Sequence, residues 1–184
     1  ILTGKGEELG HALAAHPLVQ MLTFTGSREV GLNLPVQASA KRIEMELDTL
    51  GVLVACPTAD PKQVAEVVAC CGFMMAGQSA TSIQHVWAHQ SLLEPLANAL
   101  TERLAPLRAG NPMDETTSLP PLIHPRALER VAQWVDDALQ RGARALTGAK
   151  AEPPFYLPTV LTDVPADSPL YAEAVFGPVV ILHA

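Results

Sequence analysis

Val19-Gln20-Met21-Leu22-Thr23-Phe24-Thr25, Gly26-Ser27, the run from Arg28 to Ser39, and Arg42-Ile43-Glu44-Met45-Glu46-Leu47 together set the architecture. The first segment alternates enough to be a strand. Gly26 permits a tight turn, and Ser27 is suited to cap a helix. Arg28 to about Ser39 is predicted to be that helix. Arg42 to Leu47 alternates again. Arg42, Glu44 and Glu46 share one face, with Ile43, Met45 and Leu47 on the other, which predicts a half-buried strand.

The same alternation continues outward. Ile1 to Thr3 reads as the tail of a strand. Gly4, Gly6 and Gly10 open a helix through His16, ended by Pro17. Downstream, Gly51 to Cys56 is an apolar strand stopped by Pro57. Asp60-Pro61 starts a helix expected to reach Met75, Asp60 as cap and Pro61 in the first turn. Ile83 to Ala88 is a strand, and Leu92 to Leu107 an amphipathic helix with a leucine stripe. After a Pro-rich loop from Gly110 to Pro121, His124-Pro125 leads a helix to Arg141, with Leu128, Val131, Trp134, Val135 and Ala138 on one face. Ala143 to Thr147, Tyr156 to Val164 and Val179 to Leu182 are predicted strands. Strands and helices that alternate throughout predict an α/β fold with a mostly parallel sheet. A boundary between Leu47 and Gly51 separates residues 1–48 from residues 49–184.

The totals narrow the function classes. Hydrophobic residues make up 48% of 184 and charged residues 17%, with mean hydropathy +0.20, which is a chain that builds a core. A net charge of -7 without a basic block argues against nucleic acid or an anionic membrane surface as partner. No apolar run has the ~18 residues of a membrane helix. The N-terminus has neither the charged region nor the cleavage site of a signal peptide, and no starting Met, so a piece of something longer is one expectation. The three cysteines, Cys56, Cys70 and Cys71, do not form a disulfide framework, which suggests a reducing cytoplasm. Cys70 and Cys71 are expected as buried structural thiols within their helix. His85 and His89 fall on a strand and its end, so no metal site is expected.

Several residues have two readings. Gly4-Lys5-Gly6 with Gly10 suits a dinucleotide loop or a plain strand-to-helix turn, and the spacing is not G-x-G-x-x-G. At Thr25-Gly26-Ser27, Gly26 lets a ligand approach, while Ser27 caps the helix or binds an anion. Glu46 ends its strand, where active-site groups of parallel sheets gather, or it belongs to a solvated face with Arg42 and Glu44. Gly77-Gln78-Ser79-Ala80 reads as a helix C-terminal turn with Gly77 as its glycine.

Taken in order, these pieces resemble the aldehyde dehydrogenase superfamily. Gly4-Lys5-Gly6-Glu7-Glu8-Leu9-Gly10 is similar to its G-x-G-x-x-x-G, His16-Pro17-Leu18-Val19 to H-P-x-V, and Phe24-Thr25-Gly26-Ser27-Arg28-Glu29-Val30-Gly31 to F-T-G-S-x-x-x-G. Lys41-Arg42 and Glu46-Leu47 stand where the family has K-R-x-x-L-E-L-G-G-K. Gly77-Gln78 matches N-x-G-Q-x-C, Gly110-Asn111-Pro112-Met113-Asp114 matches G-x-P-x-D, Phe155 with Pro158-Thr159-Val160 matches F-x-x-P-T-V, and Phe176-Gly177-Pro178-Val179 matches E-x-F-G-P-V. The resemblance runs from Ile1 to the last residue.

The resemblance implies the end of a Rossmann-type NAD(P)-binding lobe over residues 1–48 and most of a parallel-sheet catalytic lobe over residues 49–184. It implies NAD or NADP as cofactor, with Gly4, Gly26, Ser27, Leu47 and Phe176 as cofactor-binding positions. The family oxidises aldehydes through a cysteine nucleophile and a glutamate that activates water. Glu46 matches that glutamate. The nucleophile's position holds Ala80. Further departures are Asp48-Thr49-Leu50 for Gly-Gly-Lys, Met75 for an asparagine, Pro120 and Ala149 for glycines, and Ala174 for the glutamate that holds the nicotinamide ribose. The expectation is a catalytically silent aldehyde dehydrogenase-like domain with a structural or interaction role, joined to a protein partner or the rest of a larger chain, and open to homo-oligomerisation. The alternative is an active enzyme seen as a fragment or a Cys-to-Ala variant. A third reading keeps cofactor binding, through Gly26, Ser27 and Phe176, without catalysis.

Overall fold

In a computed structural model that describes residues 1–184, the chain divides into two compact units, Ile1–Asp48 and Thr49–Ala184. The first unit holds helix α1 (Gly6–Ala15), strand β1 (Met21–Gly26), helix α2 (Arg28–Ala38) and strand β2 (Arg42–Leu47). β1 and β2 pair in parallel, with Met21 opposite Arg42 and Gly26 opposite Leu47. A helix must carry the chain back between parallel neighbours, and α2 does so. Its small core is Ala14, Leu34 and Ala38, with Leu22, Phe24 and Ile43 packed against them. The Lys41 ammonium donates to the carbonyls of Ala14 and His16, which satisfies acceptors left open where α1 ends.

The second unit is built on a five-stranded sheet. It contains β3 (Gly51–Ala55), α3 (Pro61–Phe73), β4 (Ile83–Ala88), α4 (Leu93–Leu104), α5 (Pro125–Gln140), β5 (Arg144–Thr147), the short strands β6 (Ala151–Glu152) and β7 (Phe155–Tyr156), β8 (Thr159–Thr162), α6 (Pro169–Ala172) and β9 (Val179–His183). The sheet order is β3-β4-β9-β8-β5. β3, β4, β9 and β8 run parallel, and β5 is antiparallel to β8.

β9 is central and covered on both faces, so its apolar residues run without a break. Val180 and Leu182 join the α3 and α4 core with Val68, Phe73, Leu96 and Leu100. Val179 and Ile181 point to the α5 side, with Val131, Val135, Leu161 and Leu170. The period-2 alternation of the strand thus divides one hydrophobic run between two cores.

Three expectations need correction, and one element, α6, was not foreseen. The helix expected to reach Met75 stops at Phe73, and a 3-10 turn spans Met74–Gly77. Met75 and Ala76 there have φ of +53° and +55°, values no α-helix contains. The strand expected over Tyr156 to Val164 is broken by Leu157-Pro158 into β7 and β8, and β7 pairs with β6 instead. α6 carries no periodic pattern because it is a single turn, capped by the Ser168 hydroxyl. Cys70 and Cys71 are exposed, not buried. The buried stripe of α3 is Ala65, Val68, Ala69, Gly72 and Phe73, and the helical period turns both thiols away from it.

No helix is long and apolar enough to cross a membrane.

Candidate active site

In the first unit, α1, α2 and the end of β1 enclose a cavity of about 540 Å3. Ser27 caps α2: its hydroxyl accepts from the Val30 amide at 3.4 Å. Ser27, Thr25 and Gly26 line the cavity where the free amides of α2 begin, an arrangement that favours an anion. Gly26 has a packing reason as well, since a Cβ there would meet the Phe24 ring at 2.6 Å. Gly6 and Gly10 also line the cavity, and a Cβ on either would meet nothing within 4 Å. These two glycines therefore supply room, not tight packing. Together they form a cradle of open glycine faces beside a capped helix start.

Gly4 lies outside this lining, ahead of α1, with the Leu9 side chain 3.2 Å from where its Cβ would be. Glu46 is exposed near the end of β2, paired in register with Thr25. Arg42 and Glu44 of the same face form an ion pair at 2.6 Å. Leu47 is half-buried, and its methyl groups lie over Gly31, where a Cβ would sit 2.3 Å from Leu47 Cδ2.

In the second unit, the loop after α3 is held from several sides. Gly77 has φ +70°, and a Cβ there would fall 2.1 Å from the Gly177 carbonyl oxygen. The loop is therefore pressed against Phe176-Gly177 backbone to backbone. Gln78 donates through Nε2 to the carbonyls of Met75 (3.0 Å) and Pro121 (3.3 Å), and its Oε1 accepts from the Ile123 amide at 2.7 Å. One amide side chain ties the loop to the segment before α5. Ala80 is half-buried, and its carbonyl accepts from the Thr49 hydroxyl at 2.7 Å.

Phe176, with φ +42°, borders two hollows. One is a small pocket with Thr49, Ser79, Gln84, Ala174 and Val175. The other is a cleft of about 380 Å3 with Met75, Gln78, Ile123, Ala127 and Arg130. The structure thus gathers Gly77-Gln78-Ser79, Ala174 and Phe176, which lie far apart in sequence. Arg130 is the residue that sequence reasoning missed. Its guanidinium lies 4.8 Å from the Trp134 ring centre, and it brings a positive charge to the Phe176 cleft. The only sequence sign was a cation one turn from the apolar stripe of α5. No group of three His, Cys, Asp or Glu side chains is placed to hold a metal ion.

The family model described as "Aldehyde dehydrogenase family" matches residues 1–184. The chain belongs to the aldehyde dehydrogenase family. It is 36% identical over 182 residues to a 3-sulfolactaldehyde dehydrogenase of Priestia aryabhattai, covering 99% of this chain and 38% of that one. Among solved structures it is similar to an Escherichia coli NADP dependent enzyme, at TM-score 0.94 and 31% identity over 98% of this chain and 39% of the other. It is also similar to a Cys-to-Ala mutant of aldehyde dehydrogenase C from Pseudomonas syringae in complex with NAD+ and octanal. That match has TM-score 0.91 and 26% identity, over 100% of this chain and 39% of the other. The α/β fold is therefore that of aldehyde dehydrogenases, and the chain spans about 38% of the length of the curated relatives it matches.

Proposed function

We propose that this chain is an aldehyde dehydrogenase-like domain that binds NAD or NADP and carries no dehydrogenase activity of its own. Residues 1–48 are the end of the cofactor lobe and residues 49–184 most of the catalytic lobe. Ala80 stands at the nucleophile's place. The observation that carries this reading is the loop itself: Gly77, Gln78 and the Thr49 bond hold Ala80 in a built turn, and its side chain is a methyl. A methyl cannot attack a carbonyl carbon, which this chemistry requires. Cys70 and Cys71 lie on α3 upstream of that loop, so neither stands in it.

A bound NAD(P) would supply a hydride acceptor. Gly26 and Ser27 would take its phosphates. Glu46 would be the base. With the thiol missing, the domain serves as a structural or interaction module, for a protein partner or within a longer chain or homo-oligomer. The cytoplasm suits three thiols that are exposed and unpaired. The test is an assay of the protein with NAD, NADP and an aldehyde panel, alongside Ala80→Cys. The expected result is no turnover in either. Turnover that vanishes in Glu46→Gln would overturn the silent reading.

A second reading is favoured by one relative. The Pseudomonas syringae mutant, with alanine for a cysteine, is in complex with both NAD+ and octanal. An Ala80 chain read the same way is a Cys-to-Ala form of an active enzyme, and activity gained by Ala80→Cys would establish it.

A further inference from the structure

Gln84 is 5% exposed, and its side chain bonds only to the backbone of one distant segment. Its Nε2 donates to the carbonyls of Leu170 at 2.9 Å and Glu173 at 2.8 Å, and its Oε1 accepts from the Val175 amide at 3.0 Å. Two carbonyls and one N–H decide which end of the amide is nitrogen, and both amide hydrogens are used. These contacts bracket the end of α6 and stop one residue before Phe176, whose φ is +42°.

On the other side lies the loop Gly77-Gln78-Ser79-Ala80. Gln84 follows it by four residues, near the start of β4. Gln78 ties the loop to Pro121 and Ile123, and Gln84 ties the strand that leaves it to the segment before Phe176. Gln84, Gly77, Ser79, Ala174 and Phe176 line the same small pocket. Ala174, Val175 and Phe176 carry no polar side-chain atom, so they offer a ligand only their backbone and the Phe176 ring. Where these stand depends on what holds the segment.

We propose that Gln84 is a positioning residue for cofactor binding: it fixes the backbone of residues 170–175, and through it the Phe176 ring, against the turn of Gly77 to Ser79. This rests on the cofactor-binding reading above, with Phe176 as a contact. The role needs a glutamine. Leucine leaves two carbonyls and an N–H without their partner. Glutamate keeps the acceptor but sets a carboxylate against two carbonyls, and asparagine is one methylene short. A positive φ at a phenylalanine persists only where its surroundings hold it, and Gln84 binds the residue next to it.

The experiment is titration calorimetry of the chain with NAD and NADP, on the wild type, Gln84→Leu, Phe176→Ala and the double variant. Circular dichroism confirms that each variant folds, and Gln84→Glu stands in where leucine unfolds the chain. Each single substitution is expected to weaken binding by roughly tenfold. A residue that acts through another adds nothing once that other is gone, so the double variant is expected to lose about tenfold as well. A general loosening of the fold would instead multiply the two losses to about a hundredfold, and that result overturns the proposal. So does cofactor bound as tightly by the Gln84 variant, or by Phe176→Ala, as by the wild type, and either leaves the cofactor reading standing. No binding by the wild type at millimolar cofactor overturns the cofactor reading and this proposal with it.

Discussion

Gly77 combines a backbone angle and a contact that a side chain does not tolerate. Its φ of +70° is in the left-handed region, and an added Cβ would sit 2.1 Å from the Gly177 carbonyl oxygen. Both obstacles are backbone, so no rotamer change relieves them. Gly77→Ala is expected to destabilise the fold by more than about 2 kcal/mol, read from urea denaturation midpoints. A loss under half of that would show that the loop is free to move off Phe176-Gly177. The glycine was legible in the sequence as a helix end, but its reason was not. Met75, Ala76 and Phe176 also have positive φ, and none is glycine. Non-glycine residues in this region are held there by their surroundings, and here three of them gather around Gln78. The sequence could not announce Gln78 as the anchor, because its partners at Pro121 and Ile123 lie more than forty residues away.

At the scale of elements, β4 and β9 carry an unexpected pair. His85 Nδ1 and His183 Nε2 stand 2.9 Å apart, and Tyr171 and Trp87 pack against the rings. His85 is 4% exposed, and its Nε2 has no partner. A neutral ring that donates from Nδ1 leaves only a lone pair unsatisfied, whereas a protonated ring would bury an unpaired N–H and a charge. Burial, with the repulsion of His183, therefore lowers the His85 pKa from 6.5 to about 4. Burial lowers that of His183 as well. The sign follows from proton counting. Above pH 6.5 neither the folded nor the unfolded ring holds the extra proton, and stability is at its full value. As pH falls below 6.5 the unfolded chain takes up a proton that the folded chain refuses, so stability drops until about pH 4. The His85 share of that drop is roughly 3 kcal/mol. Denaturation midpoints measured at pH 7, 5.5 and 4.5 should fall steeply in the wild type and less in His85→Gln. Equal slopes would sink the account.

At the scale of the molecule, the two units are unequally built. The first buries Ala14, Leu34 and Ala38 as its core, while the second buries two clusters on either side of its sheet. Stability grows with the apolar surface withdrawn from water, and a unit of this size withdraws little. Amides of β1 and β2 are expected to exchange with solvent at least about tenfold faster than those of β8 and β9, in hydrogen-exchange mass spectrometry. Equal protection would show that the small core is not what limits the first unit. The strand and helix alternation of both units was readable from residue periods, with the β2 and β4 limits matching the pattern to the residue. The short elements β6, β7 and α6 were not, because two to four residues are too few to carry a period.

The order of strands and helices, the turns at Gly26-Ser27 and Gly77, and the family motifs all follow from spacing along the chain, which is local information. The Gly77–Gly177 contact, the bonds of Gln78 to Pro121 and Ile123, the hydrogen bond between His11 and Gln37 and the histidine pair join positions 26 to 100 residues apart. Only packing of the elements decides such pairs, because side chains that are silent in sequence meet when the sheet and helices close their cores.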